Sequence, residues 1–134
     1  MTSAPAGDVW VFDDFHPGAR LGDVSIPLDA DRMTHWAAIY GKARTTNHVP
    51  AGMLVAAMME AYLTVVRPRP PGNIHANQKL AFGGTAKPGD RLEAEVRCLN
   101  KVLRNERRWI TLDVRLRNGA QDVLRGEITT IWAR

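Results

Sequence analysis

One stretch, residues 48–66, constrains the fold more than any other part of the chain. From Met53 to Val66 only Glu60 and Thr64 are polar. A helix that is apolar on every side has no face to offer to water, so the rest of the protein must enclose it. The stretch is too short to span a bilayer, which needs about 20 apolar residues. We therefore predict a buried central helix over about residues 52–66.

Glycine and proline mark the two ends of this helix. Pro50 and Gly52 stand at its start, and residues 67–72 (Arg-Pro-Arg-Pro-Pro-Gly) end it because proline cannot continue a helix. The first amides of a helix have no partner inside it, and the helix dipole attracts a negatively charged oxygen to them. The Gly52 amide is therefore a candidate to stabilise an oxyanion or enolate. The alternative is that Gly52 only permits a tight turn into the helix.

The second half of the chain predicts an antiparallel sheet. Residues 92–98 and 110–116 alternate apolar and polar side chains, which is typical of strands with one buried face. Asn118 and Gly119 form a strong hairpin signal, and they predict a last strand over about residues 122–132. A further strand is predicted within residues 73–85.

The residues before the central helix predict short elements and one more helix. Asp29 is a good N-cap for a helix that runs to about Tyr40. Residues 9–12 are interpreted as a strand or an extended segment, and residues 23–26 as a short strand. Helices that precede long antiparallel strands indicate an α+β fold class. We predict a flexible tail over residues 1–8 and one domain over residues 9–134, whose sheet wraps around the central helix.

Composition argues against several classes of function. The net charge of +4 is spread along the chain, without the basic and aromatic runs of a nucleic-acid surface, and it suits a small anionic ligand. Cys98 is the only cysteine, and the sequence has neither a secretory signal nor a membrane span, so we expect a cytoplasmic protein. His16, His35 and His75 lack the spacing of metal ligands. We expect neither a metal nor a cofactor.

Several short stretches match the motifs of a known family. Residues 12–18 (Phe-Asp-Asp-Phe-His-Pro-Gly) match an opening Phe-x-Asp-Phe-x-x-Gly. Residues 36–41 (Trp-Ala-Ala-Ile-Tyr-Gly) match the end of a first helix, Phe-Ala-x-x-x-Gly. Residues 49–54 (Val-Pro-Ala-Gly-Met-Leu) match a central helix that usually starts Val/Ala-His-Gly-Met/Leu, although Ala51 replaces the histidine.

A last pair of stretches extends this match towards the C-terminus. Residues 80–82 and 87–90 are similar to the motif Phe-x-x-Pro-Val-x-x-Gly-Asp. On these motifs, from about residue 9 to residue 132, the chain resembles the hot-dog fold. Within that fold it is similar to the MaoC-like acyl dehydratases, also called (R)-specific enoyl-CoA hydratases. The resemblance implies acyl-thioester chemistry and a homodimer or higher homo-oligomer, because hot-dog domains pair sheet edge to sheet edge.

The chain departs from this family at the catalytic loop. The family reads Gly-Asp-x-Asn-Pro-x-His there, whereas Gly41 is followed by Lys42 and the Asn-Pro-x-His motif is missing. The catalytic Asp and His therefore have no counterpart in this sequence. Only Gly52 carries over, and the resemblance implies that its amide polarises the thioester carbonyl.

Glu60 is the only charged residue of the predicted buried helix. An unpaired buried carboxylate is costly, so Glu60 is a candidate base or nucleophile. It follows Gly52 by eight residues, and Asn47 precedes the helix, as in hot-dog thioesterases that resemble phenylacetyl-CoA thioesterases. The alternative is an ion pair with an arginine, or exposure at a dimer seam.

The loop before the central helix holds three further candidates. His48 is a candidate general base because histidine can accept and donate protons near neutral pH, or else it only packs the loop. Lys42 and Arg44 are candidates to bind the phosphates of coenzyme A, or else they belong to a solvated loop. The partner would be the thioester of coenzyme A or of an acyl carrier protein.

Three functions follow from these residues and from the resemblance. The first is a MaoC-like hydratase or dehydratase relative with an altered active site. The second is a hot-dog acyl-CoA thioesterase that uses Glu60 to activate water. The third is a non-catalytic acyl-CoA binder or subunit, which the missing Asp and His favour. We lean towards an enzyme.

Overall fold

The chain forms two helices and five strands, in the order that its sequence pattern predicts. The computed structural model describes residues 2–42 and 47–134, so Arg44 lies outside the described residues. The elements are β1 (Arg20–Pro27), α1 (Ala30–Tyr40), α2 (Ala51–Val65), β2 (Ile74–Phe82), β3 (Arg91–Arg104), β4 (Arg107–Asn118) and β5 (Gln121–Trp132). A single turn of 3-10 helix, Phe12–Asp14, precedes them, and it overlaps the predicted strand or extended segment of residues 9–12 only at Phe12. The α+β fold class is confirmed.

The five strands form one antiparallel sheet with the order β1-β3-β4-β5-β2. The predicted hairpin between β4 and β5 is present, and Gly119 supplies the positive φ of 63° that its turn requires. Alternate residues of β3 and β4, among them Leu92, Val96, Leu112 and Val114, are fully buried. This apolar face packs against α2, so the sheet wraps around the central helix as predicted.

The central helix is enclosed on one side only. Its sheet-facing residues are buried: Met53, Leu54, Ala57, Met58, Ala61 and Tyr62. The opposite side is exposed: Ala51, Gly52, Ala56, Glu60, Leu63 and Thr64. One chain by itself therefore leaves part of this helix uncovered. A single five-stranded sheet covers one face, and the short α1 leaves much of the other face open.

Helix α1 lies on this open side and is held mainly at its start. The Asp29 carboxylate accepts a hydrogen bond from the Arg32 amide at 2.9 Å, which confirms the predicted N-cap. The Arg32 Nε donates to the Pro27 carbonyl at 2.9 Å. No residue of α1 is fully buried, although Met33 and Trp36 pack against the core from their half-buried positions.

Strand β2 forms an edge of the sheet and is exposed along its whole length. Its large apolar residues Ile74, Leu80 and Phe82 are 54%, 37% and 49% exposed. Leu63 of α2 adds a further apolar side chain that is 40% exposed. A long exposed edge strand with apolar side chains is typical of a surface that pairs with another chain.

The N-terminal residues touch the domain at several points. The Ser3 amide donates to the Arg20 carbonyl at 2.8 Å, and the Ala6 amide donates to Asp14 Oδ1 at 3.1 Å. The Trp10, Phe15 and Trp132 rings then pack in sequence, with centroids 5.2 Å and 5.0 Å apart. The predicted division of the chain at residue 8 stays a prediction. In the described parts of the chain, no helix is long and apolar enough to cross a membrane.

Candidate functional site

A cleft of about 340 Å³ opens beside the start of α2. Helix α1 contributes one face to it through residues at helical spacing, and the turn before β3 contributes Pro88. The only ionisable groups among its described lining residues are Lys42 and His48. The full lining is Met33, Trp36, Ala37, Gly41, Lys42, His48, Val49, Pro50, Met53 and Pro88.

The start of α2 leaves backbone donors without protein acceptors. The Val49 amide donates to the Ala86 carbonyl at 2.8 Å, which anchors the entry into the helix on the loop before β3. Pro50 is the N-cap, and it offers no side-chain oxygen to the first turn. Among the described residues, the amides of Ala51 and Gly52 have no acceptor. Gly52 itself does not line the cleft, but Pro50 and Met53 on either side of it do.

Gly52 is in van der Waals contact with the indole of Trp36. A Cβ atom built on Gly52 would lie 3.0 Å from Trp36 Cη2 and 3.3 Å from Cζ2. The φ angle of Gly52 is not positive, so its backbone conformation does not require glycine. The indole leaves little room for a larger side chain there, which gives this glycine a packing role beside the predicted ligand role.

Lys42 and His48 are both exposed where they line the cleft. Together they supply a cation and an imidazole at the edge of an otherwise apolar space. Asn47 is exposed in the turn directly before His48. Their assignment as catalytic or substrate-binding residues stays a prediction, as does that of Arg44.

Glu60 is not the buried carboxylate that the sequence analysis expected. Its side chain is 46% exposed, and Glu60 Oε2 lies 2.7 Å from Arg32 Nη1. The premise of an unpaired buried charge is therefore wrong, and the alternative of an ion pair with an arginine is confirmed. The expectation failed because α1 and the sheet leave this side of α2 open to solvent.

A second cleft, of about 380 Å³, surrounds this ion pair. Helix α1 separates it from the first cleft, and Trp36 lines both. Five of its seven lining residues are charged or polar, namely Asp29, Asp31, Arg32, His35 and Glu60, and the other two are Trp36 and Ile39. Glu60 therefore lies on the far side of Trp36 from His48 and the apolar cleft.

The remaining candidates behave as ordinary structural residues. Cys98 is buried in the core, and burial raises the pKa of its thiol, which makes it a poor nucleophile. His35 is exposed on α1. Within residues 2–42 and 47–134, no cluster of His, Cys, Asp and Glu is arranged to hold a metal ion.

Sequence reasoning missed the walls of the apolar cleft. Met33, Trp36 and Ala37 recur at helical spacing, which is equally typical of residues that pack into a core. The usable signal was the match of residues 36–41 to the end of the family's first helix, because it placed an aromatic residue beside the loop. The pattern alone could not distinguish a wall of a cleft from a core position.

The comparisons with known proteins identify the fold. No protein-family model matches this sequence, and no curated protein is significantly similar to it. A MaoC-like dehydratase from Rhodospirillum rubrum superposes with a TM-score of 0.73 at 18% identity, over 91% of this chain and 96% of that chain. The R-hydratase PhaJ1 from Pseudomonas aeruginosa gives 0.65 at 24% identity, over 90% of this chain and 84% of that chain.

A third solved structure belongs to another class of enzyme. The fluoroacetyl-CoA thioesterase FlK gives a TM-score of 0.66 at 13% identity, over 87% of each chain. These likenesses confirm the predicted hot-dog fold, and they include the dehydratases and hydratases to which the sequence motifs are similar. At such identities the likeness establishes the fold alone.

Proposed function

We propose that this protein binds an acyl thioester in the apolar cleft at the start of α2. The observation that carries the proposal is the combination of that cleft with the adjoining helix start, whose Ala51 and Gly52 amides have no acceptor within residues 2–42 and 47–134. A thioester carbonyl oxygen accepts such donors, and the helix dipole favours negative charge on that oxygen. The fold that the chain shares with acyl-CoA enzymes supports the same assignment.

The cleft also fits the two ends of such a ligand. Met33, Trp36 and Met53 offer apolar contacts to an acyl chain. Lys42 at the edge offers a cation to the phosphates of coenzyme A or of a carrier's phosphopantetheine, and we assign Arg44 to the same role. The net charge of +4 favours the approach of either anionic carrier.

We further propose hydration or dehydration as the reaction, in an altered form of the MaoC-like site. Hydration of an enoyl thioester joins water oxygen to Cβ and a proton to Cα, through an enolate whose oxygen the Gly52 amide would stabilise. His48 lines this cleft, and histidine is the residue type that most often acts as a general acid or base. Lys42 follows Gly41 where the family has its Asp, so His48 acts without that partner.

The loss of enoyl absorbance from crotonyl-CoA and longer enoyl-CoA substrates tests this reaction. His48→Ala should lower kcat/KM by about 10²- to 10⁴-fold, the usual range for a general acid or base. His35→Ala is the matched control, because this exposed histidine lies on the other side of Trp36. Equal activity of the two variants would remove His48 from the mechanism.

A wild-type protein with no hydratase activity would leave the non-catalytic alternative. Stabilisation of its thermal unfolding by acyl-CoA, without turnover, would then identify an acyl-CoA binder or subunit. No shift with any acyl-CoA would refute the assignment of the cleft itself.

A thioesterase is the second candidate function. Glu60 follows Gly52 by eight residues, as in the hot-dog thioesterases, and the fold is similar to that of FlK. Against it, Arg32 engages the Glu60 carboxylate on the far side of Trp36. Thiol release from a panel of acyl-CoA esters measures this activity, and loss of release in Glu60→Gln would support it. No release with any chain length would exclude it.

We also propose a homodimer that pairs through β2. Its nine residues are all exposed, and Ile74, Leu80 and Phe82 present apolar side chains that a second copy would cover. Light scattering should give twice the 14.9 kDa of one chain. A Phe82→Lys substitution should shift the mass towards the monomer, and a wild-type monomer would refute the pairing.

A further inference from the structure

Trp36 is the one side chain that lines both clefts beside α2 in the described part of the chain. On one side of its indole lies the apolar space of about 340 Å³. On the other side lies the polar space of about 380 Å³, which Asp29, Asp31 and the ion pair of Arg32 and Glu60 line together with Ile39. The indole therefore lies between two spaces of similar size, of which the second holds more charged side chains.

The indole is held in place by its contacts. The far edge of the six-membered ring lies beside Gly52, where an added Cβ atom would be 3.0 Å from Trp36 Cη2. The Tyr40 ring packs on the indole from the next turn of α1, with centroids 4.3 Å apart. These two contacts hold the indole from the α2 side and from α1, so it does not swing freely between the clefts.

The two spaces would treat an acyl chain in opposite ways. The apolar cleft removes methylene groups from water without burying a charge. Beyond the indole a chain would meet Asp29, Asp31 and an ion pair, whose hydration an alkyl group would displace without compensation. An indole at this position stops the acyl chain at the length beyond which further methylene groups would not increase the binding affinity.

We propose that Trp36 is the closed wall of the acyl site and sets the largest acyl group that the protein accepts. This inference rests on the proposed function of the apolar cleft. Affinity should rise about fourfold per methylene, which corresponds to about 0.8 kcal/mol per buried CH₂, until the chain reaches the indole. Affinity should then level off as further carbons find no apolar contact.

Removal of the indole should move this limit. In Trp36→Ala we expect the two spaces of about 340 and 380 Å³ to become continuous. The acyl chain length at which affinity stops rising should then increase by at least about two carbons. Trp36→Phe leaves a shorter wall and should shift it less. We expect both variants to fold, because Trp36 is only half-buried and no residue of α1 is fully buried.

The test is calorimetric titration with acyl-CoA analogues of two to twelve carbons, in which a methylene replaces the thioester sulfur. Such analogues retain the carbonyl oxygen and cannot be hydrolysed. Ile39→Ala is the matched control, because Ile39 is 73% exposed and lines the polar cleft but not the apolar one. Thermal unfolding of each variant verifies that it is folded.

The outcomes separate this inference from the proposed function. The role of Trp36 is supported if the limiting acyl chain length increases in Trp36→Ala, increases less in Trp36→Phe and is unchanged in Ile39→Ala. Wild-type binding whose limit is unchanged in Trp36→Ala overturns the role of Trp36 and leaves the acyl site standing. Failure of the wild-type protein to bind any chain length overturns both.

Discussion

The two sides of α2 lie in opposite environments. The side towards the sheet buries Met58, Ala57 and Ala61 completely. The other side exposes Ala56 together with Glu60 and Thr64, the two polar residues of the stretch from Met53 to Val66. The first side meets a continuous apolar wall of alternating strand residues, whereas the second meets an 11-residue helix with no buried residue. The difference teaches that one side of this helix holds the fold together, while the other leaves room for a ligand.

The largest expected difference between the two sides concerns stability. Met58→Ala should lower the free energy of unfolding by about 2–5 kcal/mol, because the sheet cannot collapse into the cavity that remains. Thr64→Ala on the exposed side should change it by less than about 0.5 kcal/mol. Urea unfolding at one fixed protein concentration measures both values. Equal losses in the two variants would contradict the asymmetry.

The cap of α1 controls how firmly the open side is covered. Asp29→Ala removes the hydrogen bond to the Arg32 amide and should cost about 1 kcal/mol. Asp31→Ala in the same turn should cost a few tenths of a kcal/mol, since it only weakens the interaction with the helix dipole. Hydrogen exchange of the α1 amides should detect the loosened helix in the first variant. Unchanged exchange there would show that the cap does not anchor α1.

The ion pair on the open side should contribute little to stability. Its two side chains are 25% and 46% exposed, so Glu60→Ala should cost at most about 1 kcal/mol. A double-mutant cycle with Arg32→Ala isolates the coupling energy, which should fall at high salt. A loss of 3 kcal/mol or more would instead indicate a buried charge pair, and it would contradict the contrast between a buried and an exposed side of α2.

The smallest expected effect is a pH dependence at the turn that carries Pro88. Asp90 Oδ2 accepts hydrogen bonds from the Lys87 amide and from Asn118 Nδ2, both at 2.8 Å. These bonds, the Lys87 amide foremost, lower the pKa of Asp90. Because the folded pKa is the lower one, this stabilisation is present above the unfolded value of about 3.9 and is lost as the pH falls through the folded value.

The substitution Asp90→Asn should therefore make the folding stability decrease less as the pH falls into the acidic range. Melting temperatures from pH 2 to pH 6 should fall less steeply in this variant below about pH 4. The wild-type protein keeps a second contribution from Glu95, whose pKa the hydrogen bond from Arg97 lowers, so the decrease should not vanish. Superimposable profiles would show that the Asp90 bonds do not stabilise the folded state.

Much of the fold could be predicted because its signals are local. The Asp29 cap, the Asn118-Gly119 turn and the alternation in β3 and β4 each act within a few residues, and the structure confirms all three. The full length of β3 could not be predicted, because residues 99–104 lose the alternation where the hairpin extends past the core.

The candidate site was predicted less well, because it depends on which elements meet. The sequence identified the start of α2 and placed His48 and Lys42 beside it, and both line the cleft. It misjudged the burial of Glu60, which depends on how much of α2 the short α1 can cover. It gave no sign that Gly52 faces an indole.

The sequence by itself determined that an apolar helix starting near Gly52 lies against an antiparallel sheet, because periodicity and caps are properties of neighbouring residues. Only the tertiary structure decided what surrounds that helix. Burial of Glu60, the contact of Trp36 with Gly52 and the division into two clefts all depend on how α1 packs across α2. That packing joins residues far apart in the chain, so no local pattern encodes it.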